Sequence, residues 1–305
     1  GIFEVLAKGP ASVAAVARKL DLSERGTRLL MDACVALELL QKNGEQYENT
    51  PEATAFLVPG SPGDLSKAIR YNRNVYSAWG KLPAMVRSGK PVEAPEVHLG
   101  RDTKRTRDFV LSMHGRALAL GPAVIPHLEL EGRKRLLDIG GGPGTFAVMA
   151  AAANPGLECV VMDLPAVVAI GEELIAEQGM SERVRTLAGD YHDAVFPQDV
   201  DAVNILGVLH QESPEAIRDL FARAFDALEP GGIIHVLDMM TDASHTAPKF
   251  SALFAVNMAL TTQNGWVFSD EELQGWMESS GFVGFTCAPL PGPLPHWLAK
   301  ARKPE

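Results

Sequence analysis

Leu136-Leu137-Asp138-Ile139-Gly140-Gly141-Gly142-Pro143-Gly144 is the stretch on which the fold turns. It reads as a buried strand that ends at an acid and breaks into glycines before an alanine-rich helix begins. Glycines serve where a backbone must turn sharply and admit a ligand with no Cβ in the way, and the helix that follows offers unpaired N–H groups at its start. This is the pattern of a nucleotide-cofactor loop. The spacing narrows the cofactor: a dinucleotide fingerprint runs G-x-G-x-x-G, whereas here the glycines fall at Gly140, Gly142 and Gly144, position 145 is Thr, and Asp138 stands two residues before the first. A nicotinamide enzyme is disfavoured on that ground.

Outward from the loop, strand signals and helix signals alternate. The strands are expected at 135–139, 158–162, 183–188, 200–206, 232–238, 282–287 and 295–302, which predicts a mostly parallel seven-strand sheet in an α/β fold with helices on both faces. Ser213-Pro214 supplies an N-cap with proline at N1, and Ser269 with Glu272 a capping box. Ligands in such sheets lie beyond the carboxyl ends of the strands. Asp138, Asp163 and Asp190 each stand at such an end. A carboxylate at Asp163 can accept both hydroxyls of a ribose; its structural alternative is a helix N-cap ahead of Leu164-Pro165.

The N-terminal part is different in kind. Val13, Val16, Ala17 and Leu20 fall at helical spacing, and Leu29, Leu30, Ala33, Leu37 and Leu40 form a second apolar face after Ser23 as a candidate cap. Asn43-Gly44 is a tight turn before a short extended return. Residues 1–100 are therefore expected to form an all-α, winged-helix-like domain with a dimerisation or substrate-lid role. Glu24, Asp32 and Glu38 beside Arg25 and Arg28 argue against DNA. Pro59-Gly60-Ser61-Pro62-Gly63 is a turn-rich joint, followed by a helix with Tyr71, Tyr76 and Trp79. A long helix from about Thr103, within 101–131, carries Phe109, Met113, Ala117 and Leu120 and is expected to bridge to the second domain, 101–305.

Composition sets outer bounds. The 305 residues are 46% hydrophobic, enough for two cores, and carry a net charge of −10. Residues 1–100 hold 12 basic and 11 acidic side chains, leaving 16 and 27 for the rest. That acidic balance opposes nucleic acid and anionic membranes. No apolar run is expected to approach the ~18 residues of a membrane span. Cys34, Cys159 and Cys287 are odd in number and far apart, which suits free thiols in a cytoplasmic, reducing compartment and offers no zinc spacing. The chain starts at Gly1 inside a helical pattern, so an upstream segment is expected.

Taken together the segments resemble class I S-adenosylmethionine (SAM) methyltransferases, and among them the O-methyltransferases of the caffeate, hydroxyindole and antibiotic-tailoring group. The resemblance rests on the glycine loop, on VVMDLPAVV from Val160, on Gly189-Asp190-Tyr191, and on VLHQESPEAIRDLFARAFDALEPGGIIHVLDMM from Val208. GIFEVLAKGP and ELLQKNGEQYENTPEA are similar to that group's winged-helix dimerisation domain, so nearly the whole chain is covered. The resemblance implies a Rossmann-like sheet, SAM as cofactor without a metal, a small-molecule acceptor, and a homodimer. It implies that Asp190 bonds the adenine amino group with Tyr191 against the ring, and that His210 is the general base. A neutral phenol or alcohol is a weak nucleophile, and an imidazole, with an unperturbed pKa of about 6.5, can take its proton.

The chain also departs from that pattern. Where the group has Glu at the end of the fifth strand this sequence has Asp238, one methylene shorter. The second Glu is replaced by Val267, and the Asp-Trp that follows the His by Gln211 and Glu212. Leu206 stands where a basic residue is common. A less polar pocket is expected, and C- or S-methylation stays open beside O-methylation, as does a SAM-binding regulator that transfers nothing. Candidate acceptor residues are Met113 and His114 on the long helix and Phe250, Phe254, Asn257 and Met258 after the fifth strand. The Phe and Met positions fit ordinary core equally well.

Overall fold

The computed structural model describes the chain apart from Pro62, Pro95, Val97, His98 and Pro293, with the side chains of Lys67, Ala68, Arg70, Tyr71, Asn72 and Asn74 also outside the description. Tyr71, noted above, and Pro62 of the turn-rich joint fall in that set. The chain divides into two compact units, Gly1–Tyr71 and Asn72–Glu305. The division thus falls 29 residues before the boundary expected at 100.

The smaller unit runs α1 (Ile2–Leu6), β1 (Ala11–Ser12), α2 (Val13–Leu20), α3 (Glu24–Ala36), β2 (Leu40–Asn43), β3 (Gln46–Asn49) and α4 (Pro51–Leu57). Ser12, Ser23 and Thr50 cap α2, α3 and α4 by accepting the N–H of Ala15, Gly26 and Ala53, which satisfies donors that the helix cannot. The helices are joined by a three-stranded antiparallel sheet in the order β1-β3-β2, so the unit is not purely helical. Gly44, at φ +58°, turns β2 into β3. Buried Tyr47 of β3 donates to Asp32 Oδ1 of α3 at 2.6 Å, tying the sheet to that helix.

One face was misassigned from sequence. α3 buries Thr27, Met31 and Cys34, while Leu29, Leu30 and Leu37 are 58%, 54% and 68% exposed. Apolar residues line two sides of this helix, and periodicity cannot say which side packs on α2. Leu40 is buried, but as the first residue of β2.

The larger unit takes in most of α5 (Ser66–Trp79), then α6 (Leu82–Ser88) and α7 (Thr103–Val124), before the strands and helices alternate. These are β4 (Arg135–Ile139), α8 (Thr145–Ala153), β5 (Glu158–Asp163), α9 (Pro165–Glu177), β6 (Val184–Ala188), β7 (Val200–Leu206), α10 (Pro214–Ala227) and β8 (Leu228–Asp238), followed by α11 (Lys249–Thr261), α12 (Asp270–Ser279), β9 (Val283–Pro289) and β10 (Trp297–Arg302). The sheet order is β6-β5-β4-β7-β8-β10-β9, with β4 to β8 parallel and β10 antiparallel to both neighbours. This is the expected seven-strand α/β sheet.

Alternation along the strands divides two cores. Leu137, Ile139, Val203, Ile205, Ile234 and Val236 pack with Phe221 of α10 and Trp276 of α12, whereas Leu136, Val161, Ala202, Ile233 and Leu237 pack with Val124, Val148 and Ile175 from α7, α8 and α9. Neighbouring residues such as Leu136 and Leu137 thus serve opposite faces, as the period of two requires.

α7 packs on α8 and α9. A Cβ on Gly121 would come within 2.3 Å of the Met149 side chain, a measure of how closely the two helices meet. By length and composition Thr103–His127 could cross a membrane, which the sequence reading had not anticipated. Here Val110, Ala117, Gly121 and Val124 are buried against the protein's own core.

Candidate active site

The site begins where β4 stops. Gly140, Gly142 and Gly144 all have positive φ, between +55° and +71°. Gly140 could not be replaced without a clash, because a Cβ there would lie 2.6 Å from Val208 Cγ2, and Gly142 faces open space except for Asp163 Oδ2 at 4.0 Å. The loop is pinned underneath. Gly140 and Gly141 donate to the Met162 carbonyl, at 2.8 and 3.2 Å, and Gly171 of α9 passes so close that its Cβ would meet the Gly142 carbonyl at 3.0 Å.

Three acids gather at the carboxyl edge of the sheet. Asp163 accepts from Gly142 N at 2.8 Å and from Leu164 N at 2.7 Å, tying the glycine loop to the start of α9; it is not the N-cap of that helix, a place taken by Leu164 with no side-chain cap bond. Each carboxylate oxygen retains a second lone pair. Burial raises the Asp163 pKa to about 6 against the pull of those two N–H groups, with Asp190 adding to the rise. Asp138 is 1% exposed, and neither of its oxygens has a partner among the described residues. Burial, and then the nearby charge of Asp163, push its pKa up to about 7. A buried acid left unpartnered beside an open glycine loop fits a ligand that brings a donor.

Asp190 lies on the same edge, about half exposed, and its Oδ1 accepts from both the backbone N and the Nδ1 of His192, at 3.0 and 2.6 Å. Tyr191 follows directly. Its hydroxyl turns inward, donating to Glu212 Oε1 at 2.6 Å and accepting from Gln211 Nε2 at 3.1 Å. Burial and the Glu212 charge hold its pKa well above the ordinary value.

His210 sits in a 3₁₀ turn, Leu209–Gln211, just past the end of β7. Its Nδ1 lies 2.7 Å from Asp238 Oδ1 and its backbone N donates to Asp238 Oδ2 at 3.2 Å. Asp238 ends β8, is 2% exposed, and also accepts from Met239 N. The shorter side chain therefore reaches the imidazole. Phe254 of α11 meets the His210 ring edge-on at 5.0 Å.

The position taken by the second acid in the resembled group does not supply one here. Val267 contributes its carbonyl to His245 Nδ1 at 3.3 Å, while His245 Nε2 faces Glu272 at 3.4 Å. His296, unremarked in the sequence, adds polarity that the departures had not predicted. It precedes β10, whose Trp297 is in register with Asp238, and its Nδ1 is buried without a partner among the described residues. Burial depresses its basicity, with Asp238 opposing and Arg116 and His210 reinforcing.

The other acceptor candidates separate. Met113 and Met258 are partly buried, and Phe250 is 55% exposed. Asn257 Oδ1 accepts from Trp79 Nε1 at 2.9 Å. His114 Nδ1 lies 2.7 Å from Thr145 Oγ1, which puts the ring at the glycine loop, so an acceptor role would have to use Nε2. The residues that sequence reasoning missed are His192 and His296, and the part played by Glu212. Their significance comes from segments that converge only in space.

A doubly wound sheet with this glycine loop, strand-end acids and a carboxylate-held histidine defines a SAM-dependent methyltransferase of class I. Comparison with known proteins narrows it. Residues 79–283 match the model of the O-methyltransferase domain, and residues 1–59 that of the O-methyltransferase dimerisation domain. The chain is 30% identical to 3-hydroxy-5-methyl-1-naphthoate 3-O-methyltransferase of Streptomyces sahachiroi, over 92% of this chain and 82% of the relative. It is 32% identical to the N,N-dimethyltransferase OxyT of Streptomyces rimosus, over 100% of this chain and 90% of that one. The crystal structure of human N-acetylserotonin methyltransferase in complex with SAM superposes with a TM-score of 0.90, at 27% identity and covering 100% of this chain and 91% of that one. The chain belongs to the O-methyltransferase family, and its cofactor is SAM.

Proposed function

We propose that this enzyme methylates a hydroxyl of a small, partly aromatic molecule, with His210 as general base and Asp238 as the residue that orients it. The observation that carries the reading is the 2.7 Å contact between His210 Nδ1 and the buried Asp238 carboxylate, at the same sheet edge as Asp138 and Asp163. A carboxylate can only accept, so it holds the proton on Nδ1 and leaves the Nε2 lone pair to take a proton from the acceptor. The same carboxylate stabilises the imidazolium that results.

Asp138, Asp163, Asp190, Tyr191 and the glycines 140, 142 and 144 would hold the cofactor, which supplies an electrophilic methyl on a sulfonium. His114 and Met113 on α7, and Phe254, Asn257 and Met258 on α11, would flank the acceptor. Phe254, edge-on to His210, suits a ring. The chain's likeness to an N,N-dimethyltransferase favours a nitrogen acceptor as the second reading. We also propose a homodimer formed through the smaller unit, where Leu29 and Leu30 of α3 and Leu37 just after it leave an apolar surface exposed, and a cytoplasmic location suited to three unpaired cysteines.

The test is a calorimetric titration with SAM and with S-adenosylhomocysteine, of the wild type and of Asp163→Ala, followed by a screen of hydroxyaromatic and aminoaromatic acceptors with His210→Ala as control. Micromolar binding lost in Asp163→Ala, and methyl found on oxygen only with His210 present, are expected. Undiminished binding by Asp163→Ala, or full turnover by His210→Ala, would refute the assignments, and methyl on nitrogen would favour the second reading.

A further inference from the structure

His192 bridges two carboxylates. Its Nδ1 lies 2.6 Å from Asp190 Oδ1 and its Nε2 lies 2.9 Å from Glu212 Oε2. Both partners accept only, whereas a neutral imidazole has one N–H and one lone pair. With both carboxyl groups ionised, two contacts this short call for the doubly protonated ring. We propose that His192 is a positioning residue for the adenine end of the cofactor site: as an imidazolium it fixes the Asp190 carboxylate, and cofactor affinity falls when it loses its proton. The proposal rests on the reading of Asp190 given above.

The two carboxylates are unequal, and that decides which contact survives deprotonation. Glu212 is 7% exposed and its other oxygen already receives the Tyr191 hydroxyl, while Asp190 is 49% exposed. A buried carboxylate that loses a donor cannot recover it from water, and a half-exposed one can. The one remaining proton therefore stays with Glu212, and Asp190 loses its ring donor. Among the described residues its carboxylate then keeps only the His192 backbone N as hydrogen-bond donor. Other described residues bear on the pair, among them Asp219, which lies 3.6 Å from Arg223, and Trp266, whose Nε1 donates to the Glu212 carbonyl. Tyr191 lies against the His192 ring at 4.5 Å, Gln211 bonds the Tyr191 hydroxyl, Arg223 of α10 holds the Tyr191 and Ala194 carbonyls and acts on Asp190, and Asp163 acts on Tyr191.

Electrostatics agree with the geometry. Burial works against charge on His192, yet its bonds to Glu212 and Asp190 outweigh it and hold the pKa above the ordinary 6.5. Asp190 is correspondingly lowered: burial opposes the shift, and the backbone and ring of His192 overcome it. The resembled group usually has Trp at the place of Glu212, and an aromatic side chain there would give His192 no second carboxylate to bridge.

The test is S-adenosylhomocysteine affinity of the full chain by calorimetry from about pH 6 to about pH 9, for the wild type, His192→Gln, Glu212→Gln and Asp190→Asn. Asp138 and Asp163 titrate in part of this range, but they are common to the wild type and His192→Gln and cancel in the ratio of the two affinities. That ratio is expected to fall from about tenfold in favour of the wild type at low pH to near unity at high pH, since only the imidazolium donates to both acids. Glu212→Gln should move the wild-type loss of affinity to lower pH. It also serves as the second probe if His192→Gln does not fold. A ratio independent of pH would overturn the proposal and leave His192 a structural residue. Asp190→Asn separates the two layers: if it binds as well as the wild type, the reading of Asp190 falls and takes this inference with it. If it binds weakly while the ratio stays flat, only the role of His192 falls.

Discussion

Replacing Asp138 by Asn should make the ligand-free enzyme less sensitive to alkaline pH while impairing its use of SAM. Asp138 is fully buried, its oxygens have no partner among the described residues, and its pKa rises from 3.8 to about 7. A carboxyl raised in the folded state binds its proton more tightly there than in the unfolded chain. Its ionisation therefore destabilises the fold increasingly as pH climbs from the unfolded value through the folded one, and the destabilisation is complete above about pH 7. Three pH units correspond to roughly 4 kcal/mol. Of this, roughly 2–3 kcal/mol falls between about pH 5 and about pH 8, by the same linkage. For a unit of this size that is a shift of about 5–10 °C in thermal midpoint. Scanning calorimetry of both proteins without ligand at the two pH values gives the difference directly. The wild type should lose that much more than Asp138→Asn. The quantity to read is the pH-dependent difference, because the buried amide shifts the variant's stability equally at both pH values. Equal losses would refute the argument, because they would mean that Asp138 is already satisfied and has no need of a ligand's donor.

Further predictions concern the other parts of the site. His210→Ala should lower kcat by about 10²–10⁴-fold with S-adenosylhomocysteine affinity unchanged, the range of a positioned base; steady-state kinetics beside calorimetry checks it. Asp238→Asn should cost at least about tenfold in kcat, and adding it to His210→Ala should cost little more, since the two act as one unit. Gly140→Ala forces a Cβ onto Val208 at a left-handed backbone position, and should lower stability by about 1–3 kcal/mol and weaken SAM binding, both measurable by thermal melts with and without ligand. Leu29→Asp with Leu30→Asp should shift the protein from dimer to monomer in sedimentation. An unchanged dimer would place the interface elsewhere.

What the sequence disclosed and what it withheld follow from the range of the interactions. The sheet was legible because Leu136 and Leu137, or Val160 and Val161, carry the period of two through short apolar runs that end at an acid, a signal complete within a few residues. Caps at Ser213 and Ser269 were legible for the same reason. The packing side of α3 was not, because Leu29 and Leu30 are as apolar as Met31 and the choice depends on what lies opposite. Asp163 could be named, but its grip on Gly142 N joins residues 21 apart in sequence. The Tyr191–Glu212 and His192–Glu212 contacts span about the same distance, and no local pattern announces a glutamate placed beneath a neighbouring strand end. His296 was hidden inside a strand assignment and becomes visible only through the register that sets Trp297 beside Asp238.

That register has a consequence for assembly of the sheet. β10 follows β9 in the chain, yet it is inserted between β9 and β8, antiparallel to both. During synthesis β9 emerges before its partner β10, and β8 keeps an open edge beginning at the Asp238 end until the segment from Trp297 to Arg302 arrives. The strand end that supports the imidazole is therefore among the later parts of the sheet to be enclosed. A chain arrested before Trp297 would have its glycine loop and its β4–β5–β6 side in place while still lacking the wall behind His210.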